Sequence, residues 1–235
     1  MLIPNKKKFI IGGLMTVVFI VILALMSSPI FRGQNAFEAA DGLFNSIAKG
    51  SSYKIPALEQ QARKFSGTNL DLVIPASGVH EPDWTKKVLA AAGGRFEETG
   101  GKIRLQGDLG TIALAALRDS EAMYNDRDTE ISQKYGISGR EALYAWWMLL
   151  TESQEALKRE KKVSQASFLD EVVKKGVEVG YNFFGIAPEK ASSRAGILSL
   201  SLCFYVAYTL WWGFAIFFLF EGFGLAMTAG KKKEL

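Results

Sequence analysis

The sequence predicts a mainly α membrane protein, with two transmembrane helices flanking a helical extracytoplasmic domain that carries a small two-stranded β element. Three observations predict it. Residues 9–26 and 197–229 form apolar runs, the first of 18 residues without a charge and the second of 33 residues with Glu221 as its one charge. Lysine triplets, Lys6-Lys7-Lys8 and Lys231-Lys232-Lys233, stand at the outer margins of the two runs. Between them lies a long segment in which apolar residues recur mostly at helical spacing.

The organisation expected is a cytoplasmic N-terminus over 1–8, a first span over 9–28, an extracytoplasmic domain over 29–195, an overlong second span over 196–229 and a cytoplasmic C-terminus over 230–235. Each run reaches the length that crosses a hydrocarbon core. The first also begins like a cleaved signal peptide. Its length and the poor small-x-small pattern at Ala24-Leu25-Met26 favour an uncleaved anchor. A continuous helix over the second run is longer than a bilayer needs, so it has to tilt, project or kink. Lysines outside both runs place both termini in the cytoplasm and the middle in the periplasm or outside the cell.

The net charge of +4 invites a nucleic-acid reading, but its location argues otherwise. Residues 27–196 hold 22 Lys+Arg and 22 Asp+Glu, so the excess comes from the six terminal lysines less Glu221 and Glu234. No nucleic-acid partner is expected. With one Cys and one His, an intramolecular disulfide, an all-cysteine metal site and a two-histidine zinc site are excluded within one chain.

In the middle segment, Pro29, Arg32 and Gly33 read as a turn leaving the membrane. Apolar residues at 36, 37, 40, 43, 44, 47 and 48 predict a helix closed by Gly50, and a short helix follows over 57–65. Residues 70–75 (LDLVIP) and 102–106 (KIRLQ) are the two strand candidates, with Gly93-Gly94 and Gly100-Gly101 as turns. Pro82 and Asp83 open a helix to about residue 92. Further helices are expected over 109–124, over 138–160 from a Ser138/Glu141 capping box, and over 165–184, the last two as an antiparallel pair.

Glu221 is the candidate intramembrane charge. If the span begins near residue 197, it lies at the cytoplasmic surface. If Tyr205, Tyr208, Trp211 and Trp212 form the outer aromatic belt, it lies near the midplane, where a carboxylate faces a partner or a proton path. Gly222, Ala226 and Gly230 form a small-residue row for helix–helix contact, with the first anchor or another protein as partner. Trp146, Trp147, Tyr181 and Phe184 are the candidate ligand or partner surface, against the plainer reading as core. Residues 125–130 resemble the opening of a calcium loop but lack its glycine and terminal acid, so a solvated turn with a helix N-cap at Asp128 or Thr129 is expected. His80 reads as a surface-loop histidine rather than an acid or base, and Cys203 as a small hydrophobe. Lys232-Lys233-Glu234-Leu235 also has the form of a dilysine retrieval signal, though a bacterial inner membrane is favoured.

No catalytic constellation stands out and no cofactor is implied. The expected function is a non-catalytic accessory or structural subunit of a larger membrane complex, held by lipid and by other membrane protein subunits in a hetero-complex or homo-oligomer. A ligand-sensing or solute-binding domain on two anchors is the alternative. Ion or proton coupling through Glu221 in an oligomer is a third reading.

Overall fold

The computed structural model describes residues 3–31 and 33–225. The chain divides into two compact units, one made of the residues up to Phe44 with those from Glu189 onward, the other Asn45–Pro188.

The first unit is built on a helix pair. α1 (Lys6–Met26) and α10 (Ala195–Gly222) are both long and apolar enough to cross a membrane. At about 1.5 Å per residue they measure roughly 32 and 42 Å. They run antiparallel, since Phe9 lies against Gly222, Met15 against Trp211 and Phe19 against Tyr208. On α10 the contact residues Tyr208, Trp212, Ala215, Leu219 and Gly222 recur at alternating spacings of four and three, the seam of left-handed helix packing.

Glycine permits the close approach. A Cβ on Gly12 would stand 2.7 Å from the Leu219 nitrogen, and one on Gly222 would stand 2.7 Å from the Phe9 Cα. Gly13 and Gly213 have nothing within 4 Å and face away. The outward surface is apolar, with Leu14 63%, Val17 58%, Leu202 63% and Leu210 57% exposed.

Extending the register from Phe19 to the end of α1 leaves about two turns at the start of α10 beyond it. At its other end α10 is shorter than the expected span over 196–229. It closes after Gly222, with the amides of Gly224 and Leu225 donating back to the carbonyls of Glu221 and Phe220. Gly224 takes the left-handed conformation (φ 79°) that this helix terminus requires.

The first unit also holds the start of α2 (Ala36–Ser52). Phe31 and Gln34 exchange backbone hydrogen bonds around the turn that leaves α1. The Glu38 amide donates to Asn35 Oδ1 at 2.9 Å while Asn35's amide donates to Glu38 at 3.0 Å, a reciprocal cap. α2 continues through Gly50, where the sequence placed its end.

The second unit packs helices against one face of a small sheet. After α3 (Ile55–Lys64) come β1 (Asn69–Pro75), α4 (Pro82–Ala91), β2 (Arg95–Thr99) and β3 (Lys102–Asp108). The remaining helices are α5 (Leu109–Tyr124), α6 (Asp128–Tyr135), α7 (Gly139–Arg159), α8 (Val163–Val172) and α9 (Glu178–Asn182), the last two joined by a π-helical turn over Val173–Val177.

The sheet has three strands, in the antiparallel order β1-β3-β2, where the sequence predicts two. The strand that sequence reading missed is β2, RFEET, an edge strand with four exposed positions and one half-buried one. Such a strand carries no alternating apolar signal, and its charges keep the edge soluble. Gly100 and Gly101, both at positive φ, make the two-residue β2–β3 turn.

Leu70, Leu72 and Ile74 of β1 and Ile103 and Leu105 of β3 point into the helices. Arg104 and Asp71 pair on the opposite, solvent face at 2.9 and 2.7 Å, and the guanidinium holds the Asp71 carboxyl down to about 2. The Ser138/Glu141 capping box starts α7 as predicted. α6 begins at Asp128 with Arg127 in the cap position, one residue earlier than the predicted N-cap at Asp128 or Thr129.

A paired substitution tests the helix seam. Gly12→Leu forces side chain into the α10 backbone and lowers hairpin stability by about 1–3 kcal/mol. Gly13→Leu, on the open side, leaves it unchanged. Thermal unfolding of the two variants in the same detergent reads the difference.

Candidate functional site

The residues singled out by sequence fall in two places, one in each unit. In the hairpin, Lys8 Nζ donates to Glu221 Oε2 at 2.6 Å, with both side chains partly buried. The neighbouring Asn5 amide donates to the Gly222 carbonyl at 3.2 Å, and the rings of Phe9 and Phe223 meet edge to face. Glu221 therefore sits level with the lysine-bearing first turn of α1. Gly222 is a helix–helix contact, and α1 is its partner. Ala226 and Gly230, the rest of the small-residue row, lie outside the described residues, as do Lys231, Lys232 and Lys233.

The aromatic residues of the expected outer belt act largely between the helices. Tyr208 donates to the Phe19 carbonyl and Trp211 Nε1 to the Met15 carbonyl, each at 2.9 Å. Phe19 stacks on both Tyr208 and Trp212. A polar atom held between apolar helices needs a partner there, and these carbonyls provide one.

In the second unit, three of the four predicted aromatic residues come together. Trp147 and Tyr181 are each 38% exposed, and Phe184 is half-buried nearby. Arg140, Tyr144 and Trp147 follow one face of α7. The Arg140 guanidinium lies 5.6 Å from the Tyr181 ring centre and 5.7 Å from that of Phe184. Tyr144 stacks on Trp147, whose Nε1 donates to Glu178 at 3.1 Å.

Trp146 does not belong to this surface. It is fully buried, and its Nε1 donates to Asp119 Oδ2 at 2.7 Å. Neighbouring residues on a helix point about 100° apart, so the Trp146-Trp147 pair is split between core and surface.

Asp119, which the sequence does not flag, is the polar centre of that core. It is 4% exposed and joins three helices, taking hydrogen bonds from Trp146 of α7, Tyr135 of α6 (2.5 Å) and Lys134 of α6 (2.9 Å). Burial, together with the adjacent carboxylate, pushes the Tyr135 hydroxyl well above the ordinary tyrosine range. Beside Asp119 opens a polar cleft of about 290 Å³ that Arg118, Arg127, Glu130 and Lys134 help line.

Lys49 is the second unexpected residue. It is 2% exposed, with its ammonium 3.7 Å from Asp126 and over the Tyr124 ring. Asp126, in the left-handed conformation, also accepts from the Gly185 amide at 2.6 Å and so ties α2 to the chain after α9. Tyr124 donates to the Lys49 carbonyl, and Tyr53 donates to Glu121. Lys49 lies on the polar side of α2, where a helical wheel assigns it to solvent, so no sequence signal marked it.

His80 is exposed in the loop before α4. Cys203 is exposed on the apolar surface of α10 rather than packed. Among the described residues no three His, Cys, Asp or Glu side chains gather as a metal site. The chain matches no protein-family model, no curated protein and no solved structure.

Asp119→Ala strands the buried Trp146 and Tyr135 donors and lowers stability by about 3–5 kcal/mol in chemical denaturation. Lys134→Ala, at a largely solvated partner, lowers it far less.

The hydrogen bond to Glu121, with burial second, raises the Tyr53 hydroxyl to about 12. A raised value means that this contribution to stability is complete below the ordinary tyrosine value of 10.0 and is lost as pH rises through about 12. The difference between wild-type and Tyr53→Phe absorbance titrations isolates this tyrosinate, and in a Glu121→Gln background the transition moves back toward its ordinary value.

Proposed function

We propose that the chain is a two-pass inner-membrane protein with both termini cytoplasmic, serving as a non-catalytic accessory subunit whose periplasmic domain docks on partner subunits. The helix pair supports the anchoring half. Its outer surface is apolar on all sides, and a soluble monomer rarely carries so large an exposed apolar area. Lys6, Lys7 and Lys8 mark the α1 end expected in the cytoplasm. In this reading the Lys8–Glu221 pair lies at the cytoplasmic interface.

The observation that carries the docking half is the surface of Arg140, Tyr144, Trp147, Tyr181 and Phe184. Tyr, Trp and Arg are the residue types that dominate binding energy in protein interfaces. Here Arg140 is already held over two rings, so little side-chain freedom remains to be lost on contact.

The cleft beside Asp119 favours the alternative of a solute-binding domain, because it gathers ionic groups of both signs around a small volume. The Lys8 ion pair weighs against the third reading, proton or ion coupling through Glu221, since a paired carboxylate at the helix end is poorly placed to exchange its proton within the bilayer.

Gentle detergent extraction of the chain at native abundance, followed by mass spectrometry of co-purifying proteins, tests the docking reading. A discrete partner is expected. Trp147→Ala and Tyr181→Ala are expected to release it while leaving the melting temperature within a few degrees. A monodisperse monomer that retains no partner overturns the proposal.

A further inference from the structure

α2 leaves the two largest side chains of its apolar stripe uncovered. Along the stripe Ala36, Ala40, Leu43 and Ile47 are half-buried and Phe37 and Phe44 are exposed, whereas the one buried position on the helix is Lys49. Phe37 and Phe44, two turns apart on the same face, are 51% and 52% exposed. In a water-soluble protein such a stripe turns inward. Here the fully covered position is Lys49, on the polar side, held by Tyr124 and Asp126.

We infer that the stripe from Ala36 to Phe44 lies in the interface of the outer leaflet, as an in-plane amphipathic helix following the first span. The inference rests on the reading of α1 and α10 as membrane-spanning. Continuity with the surface of that pair selects lipid as the occupant. α1 exposes apolar side chains over the faces turned away from α10, and Ile30 and Phe31, which follow it, are 61% and 47% exposed. Phe37 comes only six residues after Phe31, and all four side chains belong to the same compact unit as the helix pair. Among the described residues, no buried one separates the exposed apolar side chains of α1 from those of α2. A stripe one or two side chains wide suits insertion to about 5–10 Å, at the boundary of headgroups and acyl chains. Glu38 stands about 100° round the helix from Phe37, and the exposed Gly42, where a Cβ would meet nothing within 4 Å, faces nearly opposite. The reciprocal Asn35–Glu38 cap starts the helix at the turn leaving α1.

The full chain with Cys203→Ser, which removes its one cysteine, accepts a single environment-sensitive fluorophore at Phe37→Cys, Phe44→Cys, Gly42→Cys or Leu14→Cys. Each is reconstituted into phosphatidylcholine vesicles over a range of protein-to-lipid ratios. The expected result is blue-shifted emission at positions 37 and 44 at every ratio, quenched by lipids with a shallow nitroxide. Position 42 stays water-like, and position 14 is quenched by a deep nitroxide. Water-like, unquenched emission at 37 and 44 with position 14 still quenched overturns the inference and leaves the spanning reading standing. A blue shift that grows with protein density and resists lipid quenching assigns the stripe to a second copy and also overturns it. Failure of quenching at position 14 removes the spanning reading, and this inference with it.

Discussion

The close approach of α1 and α10 at Gly12 sets the register on which the first unit depends. With no side chain there, the α1 backbone comes within van der Waals reach of Leu219 and Ala215. Everything else in the seam follows from that contact. One turn toward the termini brings Phe9 onto Gly222 and Lys8 onto Glu221. One and two turns the other way bring the Met15 and Phe19 carbonyls to the Trp211 and Tyr208 donors. In apolar surroundings an unpaired ammonium, carboxylate, phenol or indole N–H is costly, and a single register partners those of Lys8, Glu221, Tyr208 and Trp211 together. Two helices that are apolar on every side gain direction from a few small and polar residues, not from hydrophobicity.

The second unit solves the same problem around a packed core. Its apolar core could be filled by many arrangements of leucine and isoleucine, but Asp119 accepts three hydrogen bonds from two other helices and so constrains how α5, α6 and α7 meet. Lys49 acts similarly at the edge of the unit, where Asp126 gathers α2 and the segment after α9 around one carboxylate. Both are buried charges held by several partners, the condition under which burial of an ion is tolerated.

Much of this architecture was legible in the residues themselves. Both long helices, the Ser138 capping box, the Pro82 helix start and the strands at residues 70–75 and 102–106 carry strong local signals. β2 does not, because an edge strand exposed on nearly all sides has no alternation to detect. The aromatic surface was only half legible. Trp147, Tyr181 and Phe184 were named from sequence, but Trp146 was grouped with them although it lies in the core. Arg140 and Tyr144, which complete the cluster, are ordinary solvent-side choices on a helix and emitted no signal.

The sequence by itself determined the two apolar helices, the lysines that mark the start of one and follow the other, and the balanced charge between them, because each is a property of a continuous stretch of chain. Only the tertiary structure decided which face of each helix is covered. Lys8 and Glu221 are 213 residues apart, so no window of sequence pairs them. Lys49 is inside while Phe37 and Phe44 are outside, the reverse of what amphipathic spacing implies. Burial is settled by what packs against a helix from elsewhere in the chain, and spacing within the helix says only which residues share a side.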